Sequence, residues 1–113
     1  MEQDDIGYLE DIEEAIGYIN EYVSGLSKED FASQKIVQDA VVRQLEIIGE
    51  ATKRLSTSIR QENPQIPWRS MAGMRDRLIH GYFDVNVEEV WLTVRRDLPE
   101  LQRQVNTILA KND

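Results

Sequence analysis

The sequence predicts an all-α protein, an antiparallel, up-and-down bundle of four to five helices. Three observations carry this. Apolar residues recur at spacings of three and four along most of the chain, there is no strand-like alternation of useful length, and there is no repeat or low-complexity tract. At 113 residues the chain fits one compact domain, residues 1–113, and leaves no room for a second.

The elements follow in order. Ile6, Leu9, Ile12, Ile16, Ile19 and Val23 mark an amphipathic first helix, capped at its start by Asp4 or Asp5 and ended by Ser24-Gly25. Ser27, with Asp30 three residues on, has the pattern of a cap opening a second helical segment. From Ile36 one long apolar stripe runs through Val37, Ala40, Val41, Leu45, Ile48, Ala51, Leu55 and Ile59, and Gly49 can bend that helix without breaking it. Asn63-Pro64-Gln65-Ile66-Pro67 is the clearest loop, because two prolines so close together cannot continue a helix. Pro67 suits the first turn of a short helix running from about Trp68 to His80, which Gly81 is placed to end. Asn86 or Asp84 can cap a final helix carrying Val90, Trp91, Val94, Leu98, Leu101, Val105, Ile108 and Leu109, in which Pro99 is expected to make a kink.

Composition excludes several classes. There is no cysteine, hence no disulfide framework and no thiolate metal site, and a single histidine excludes a His-rich zinc site within one subunit. No apolar run approaches the roughly 20 residues that span a bilayer, and the acidic start Met1-Glu2-Gln3-Asp4-Asp5 is unlike a signal peptide, so a soluble cytoplasmic protein without membrane contact is expected. A net charge of −8 argues against a broad nucleic-acid-binding surface, because phosphate contacts come from Lys and Arg. Any RNA contact must be local, in a basic cleft, or helped by a partner. A chain this short also buries only about two-thirds of its unfolded surface, and dimerisation is a natural way to bury more.

The short helix carries an anomaly. At 100° per residue Trp68, Met71, Ala72, Met74, Leu78 and Ile79 share one apolar face, and Arg75 falls near its middle, at roughly 340° if Trp68 is zero. Burying an unpaired guanidinium costs several kcal/mol, so Arg75 must meet an acid, line a cleft or face a second subunit; a stem packed on the core with its head reaching water is the bland alternative. Asp76 precedes His80 by four residues and shares its face, where a carboxylate can fix the imidazole tautomer. A histidine at a helix C-terminus can equally be a plain dipole partner. Tyr82 follows the reversal at Gly81 and projects toward His80, or else covers the bundle end with Phe83. Arg43, Glu46, Glu50, Lys53 and Arg54 form a charged row on the long helix, either a solvated salt ladder or a source of a carboxylate, Glu46 or Glu50, for Arg75.

Arg75-x4-His80-x-Tyr82 resembles the signature of HEPN-domain ribonucleases, and the tyrosine two residues after the histidine is similar to the HepT branch, the toxin half of HepT–MntA toxin–antitoxin modules. The acidic first helix, Val42-Arg43-Gln44-Leu45-Glu46-Ile47-Ile48-Gly49-Glu50-Ala51, Ile66-Pro67-Trp68 and Gly73-Met74-Arg75 also resemble that branch. So do His80-Gly81-Tyr82-Phe83-Asp84-Val85 with Val90-Trp91, and Leu98-Pro99. The resemblance covers nearly the whole chain.

It implies a HEPN domain and the toxin of a type VII system, a metal-independent endoribonuclease without cofactor. Its catalytic residues by similarity are Arg75 and His80, in a composite site at a homodimer interface. In the HepT branch the motif tyrosine is where an MNT-type nucleotidyltransferase antitoxin attaches AMP, a role that carries over to Tyr82. Asp76, in the polar position after the arginine, is expected to orient or tune His80. The competing expectation is a non-catalytic helical subunit that positions or regulates a nucleotidyltransferase, which the acidic charge and lone histidine favour. A purely structural dimerisation module would leave Arg75 unexplained.

Overall fold

In a computed structural model that describes residues 3–74 and 85–112, long helical runs form the body and short helices close its ends. Helix α1 (Gln3–Val23) is followed by α2 (Lys28–Ala32), α3 (Lys35–Arg54), α4 (Thr57–Glu62) and α5 (Trp68–Ala72). After the motif segment come α6 (Val87–Leu92), a π-helical turn (Thr93–Asp97) and α7 (Leu98–Ala110).

Side-chain contacts fix the directions. Asp5 near the start of α1 meets Ser56 just beyond the end of α3, so these two helices are antiparallel. Asn20, late in α1, bonds Gln102, early in α7, while Ile6 and Glu10 share a recess with Leu109 and Ala110, so α7 is antiparallel to α1 as well. Lys28 at the α2 end pairs with Glu88 at 3.0 Å, which sets the start of α6 at the opposite end from Ser56. The all-α, up-and-down bundle is thus the observed architecture.

Between these helices lies one apolar core. From α1 it takes Leu9, Ile12, Ile16 and Ile19, from α3 Val41, Leu45 and Ile48, and from the last run Val90, Leu98 and Val105, each essentially inaccessible to water. Each such side chain contributes on the order of 1.5–3 kcal/mol by leaving water. Helix α2 pins Phe31 against the Trp91 ring, 5.2 Å between centroids, and the Arg95 guanidinium lies 4.5 Å from the centre of the same indole.

Several local expectations hold. Gly25 takes a left-handed φ of 76° after α1, a conformation that costs glycine little. Ser27 and Asp30 form a reciprocal capping box, and Asn86 accepts the backbone N–H of Glu89 at 3.2 Å to start α6.

Four expectations need correcting. Asp4 and Asp5 lie inside α1 rather than capping it, and Asp5 is buried. The stripe from Ile36 to Ile59 is two helices: Leu55 turns extended (φ −66°, ψ 143°) and Ser56 caps α4. Two helices set at an angle bury Leu55 and Ile59 in the same core, so periodicity alone did not register the break. Pro99 does not lie inside one continuous α-helix, because a π-helical turn separates α6 from α7 just before it. The extra residue upstream is absorbed by the π-helical turn, and Pro99 sits in the first turn of α7, where no N–H is needed. Finally, α5 stops at Gly73, whose N–H bonds back to the carbonyls of Arg69 and Met71. The helix expected to run from Trp68 to His80 is described only as far as Met74, and the placement of Arg75 on it lies outside the described residues.

Candidate active site

The chain that delivers the motif is tightly held. In the Asn63–Pro67 loop, the Trp68 indole N–H donates to the Asn63 carbonyl at 2.9 Å, the Ile66 N–H donates to the same carbonyl at 3.2 Å, and the Asn63 amide reaches the Ile59 carbonyl at 3.0 Å. These bonds satisfy groups that a proline-rich loop would otherwise bury unpaired. Trp68, Met71 and Met74 are buried.

Helix α5 rests on α3 at Gly49. A Cβ there would lie 3.4 Å from the Met71 carbonyl oxygen and 3.7 Å from that of Ala72, ordinary contact distances, so the α5 backbone leaves room at this position for little more than a methyl group. The sequence flagged Gly49 only as a possible bend. Its role as a seat is tertiary, and no local signal marks it.

Arg75 follows Met74 directly. Arg75, Asp76, His80 and Tyr82 all lie outside the described residues. The described chain resumes at Val85, half-buried against the core, and at the Asn86 cap. The motif is therefore bracketed by two anchored points, the buried Met74 just beyond α5 and a capped helix start.

Two recesses open on the described surface. One, of about 350 Å³, begins at Met74 and is lined by Gln65, Ser70 and Met71 on one side and Arg96, Leu101 and Gln104 on the other. At its rim Glu100 hydrogen-bonds Arg103, and that bond holds the Glu100 carboxyl below the usual carboxylate range. The other, of about 360 Å³, lies between α1 and α3 and is lined by Tyr8, Asp11, Arg43, Glu46, Ile47 and Glu50. The two carboxylates expected near Arg75 differ. Glu46 is half-buried and engaged, whereas Glu50 is exposed and pairs with Lys53 at 3.6 Å.

Charge is distributed unevenly. Before Lys28 the chain carries eight acidic residues and no Lys or Arg. From Lys53 to Arg77 it carries six cations (Lys53, Arg54, Arg60, Arg69, Arg75, Arg77) against Glu62 and Asp76. The net charge of −8 thus coexists with a locally basic stretch leading into the motif, as a local phosphate contact requires. No helix among the described residues is long and apolar enough to cross a membrane.

A small α-helical bundle that brackets an Arg-x4-His-x-Tyr segment between a buried helix end and a capped helix start defines a HEPN-class protein. Residues 12–108 match the family model described as "Ribonuclease HepT-like", and the chain belongs to the HepT-like family. It is 46% identical over 104 residues to a "Putative RNase" of Caldanaerobacter subterraneus subsp. tengcongensis, covering 92% of this chain and 93% of that one. It is 52% identical over 95 residues to the "Probable ribonuclease HepT" of Thermococcus cleftensis, covering 84% and 86% of the two chains. A longer protein of Methanocaldococcus jannaschii, "Gamma-glutamylcyclotransferase and putative RNase", is 42% identical over 106 residues, which are 94% of this chain and 48% of that protein. No solved structure gives a significant match.

Proposed function

We propose that the protein is a metal-independent endoribonuclease, the toxin of a type VII HEPN/MNT system in the cytoplasm. The observation that carries this reading is the family match across residues 12–108, which spans an intact Arg75–His80–Tyr82 set. The ribonuclease names of the relatives support it.

In this reading a ribose 2′-hydroxyl attacks the adjacent phosphate, and the 5′-oxygen of the next nucleotide leaves. His80 moves protons near neutral pH, and Arg75 holds the non-bridging oxygens with its planar fork as charge builds on the phosphorane. Asp76 orients His80, and Glu46 or Glu50 offers Arg75 a carboxylate. A single imidazole cannot readily serve as both acid and base, and a two-fold dimer supplies two. Transfer of AMP from ATP to the Tyr82 hydroxyl by an MNT-type nucleotidyltransferase antitoxin, with pyrophosphate leaving, sets a bulky anion beside His80 and silences the site.

The test is cleavage of RNA by purified protein in the presence of EDTA, made without antitoxin. The wild type is expected to cut, and His80→Ala and Arg75→Ala to lose about 100-fold or more of that rate. Undiminished cleavage by His80→Ala overturns the catalytic assignment. A wild type that never cuts but binds and alters a nucleotidyltransferase establishes the non-catalytic subunit instead. After co-expression with that enzyme, intact mass rises by AMP units in the wild type and stays unchanged in Tyr82→Phe.

A further inference from the structure

The recess that ends on Met74, about 350 Å³ in volume, combines a floor and a rim of different chemistry. Met71 and Met74 form the floor on one side and Leu98 and Leu101 on the other, each at most 5% exposed. Around them stand Gln65 from the Asn63–Pro67 loop, Ser70 from α5 and Gln104 from α7, which bring amide and hydroxyl groups. The rim also carries two carboxylates, and each lies against an arginine: Asp97 against Arg96 at 3.4 Å, and Glu100 against Arg103. The recess is therefore close to neutral, unlike the basic stretch from Lys53 to Arg77 that leads into the motif.

Both walls are held by the fold itself. The loop wall is fixed by the bonds that join Asn63 to Ile59, Ile66 and Trp68. The opposite wall takes Arg96 and Asp97 from the π-helical turn, a rare irregularity that often marks a place where a helix serves a site. The chemistry disfavours two ligand classes. A free phosphate would face methionine and leucine, and would lose its water without recovering donors. A purely aliphatic group would leave the amides unused. A nucleobase fits both parts. Its polarisable faces suit the two thioethers, and its edge carries in-plane donors and acceptors that suit the glutamines. The volume lies at the small end for ligand sites, room for one base rather than a stretch of chain.

We propose that this recess is a base-recognition subsite. It takes one unstacked base of single-stranded RNA next to the phosphodiester that is cut, with Gln65 and Gln104 reading the edge of the base and Met71 and Met74 packing on its face. The proposal rests on the ribonuclease reading above and gives that activity a sequence preference. Chain order supports the placement: one peptide bond joins Met74 to Arg75, so a base held against Met74 lies one residue along the chain from the arginine assigned to the phosphate. Base contacts in such a recess specify, while the phosphate contacts supply affinity.

The chain has three methionines, Met1, Met71 and Met74, so methyl NMR of methionine-labelled protein reads the recess directly, with Met1 as the control. The probes are single-stranded RNA tetranucleotides that differ at one position, A, C, G or U, in a uridine background, added to His80→Ala protein so that they stay intact. The Met71 and Met74 signals are expected to shift saturably, with an affinity that depends on the base, while Met1 stays still. Gln104→Leu should weaken the preferred RNA about tenfold. Ser70→Phe, which puts a ring into the recess from an exposed position, should abolish the shifts, and melting curves check both folds. In cleavage, the wild type should favour one base beside the cut, and Gln104→Leu should flatten that preference. Recess signals unmoved by every RNA, or a preference unchanged in Gln104→Leu, overturn the subsite; RNA cutting by the wild type in that case leaves the nuclease reading standing. Base-dependent shifts in a protein that never cuts RNA uphold the recess as a base site and sink the nuclease instead. Shifts given by AMP but not by RNA, or only by a nucleotidyltransferase, overturn the proposal in favour of a free nucleotide or a protein partner.

Discussion

The carboxylate of Asp5 accepts two hydrogen bonds from Ser56, 51 residues away: the backbone N–H at 2.9 Å and the hydroxyl at 2.6 Å. The same hydroxyl accepts the N–H of Ile59 at 3.3 Å to open α4. One buried acid therefore ties the first helix to the joint at which α3 ends, and from that joint the chain runs on through α4 to the motif-bearing segment.

Asp5→Ala leaves the Ser56 donors without their acceptor, a loss of about 1–3 kcal/mol. The melting temperature should fall by about 4–8 °C for each kcal/mol. Ser56→Ala should cost a similar amount, and the double variant less than the two together, because they share the bond. A fully additive double variant would show that the pair is not coupled.

Gly49 makes a graded prediction. Alanine gains helix propensity, about 1 kcal/mol, and its Cβ meets the α5 carbonyls at ordinary contact distance, so Gly49→Ala should be neutral or mildly stabilising. Gly49→Val adds methyl groups where backbone already stands and should destabilise by about 1–3 kcal/mol. Since α5 leads into the motif, RNA cleavage should fall for valine even at temperatures where the protein is folded. Equal melting temperatures for alanine and valine would remove Gly49 as the seat of α5.

The α2 corner separates packing from capping. Phe31→Ala removes a fully buried ring tilted against Trp91 and should cost about 3–5 kcal/mol, whereas Ser27→Ala removes half of a capping box and should cost about 1 kcal/mol. Urea denaturation ranks them, and an inverted order would contradict the assignment of Phe31 to the core.

For Glu100, whose carboxyl is held below its ordinary range by Arg103, the stabilisation is present above the unfolded carboxylate pKa and disappears as pH falls through the lowered folded value. Because the pair is fully exposed, Glu100→Gln should lower the melting temperature only slightly at pH 7 and not at all once the medium is acid enough to protonate the wild-type carboxyl. A difference that grows on acidification would reverse the sign of this linkage.

Much of the bundle was legible because helix period, caps and turn residues act locally. The Ser27–Asp30 box, Gly25, the Asn63–Pro67 loop and the Asn86 cap could each be read from a few neighbouring residues. What escaped depends on distant partners. Asp5 looks like a cap until Ser56 is seen beside it, Leu55 continues a helical stripe until its backbone turns, and Gly49 is unremarkable until α5 lies on it. The motif residues form a recognisable unit by resemblance, and their placement on a helical wheel lies outside the described residues.

The π-helical turn at Thr93–Asp97 gives the last run a property that a straight helix lacks. It sets the angular phase between the stripe of Val90, Trp91 and Val94 and that of Leu98, Leu101, Val105 and Ile108. Removing one residue there would leave a continuous helix, yet would rotate everything downstream by about 100° and carry Leu98 and Val105 away from α1. Length changes at this point act as rotations, so the joint works as the bundle's phase adjustment.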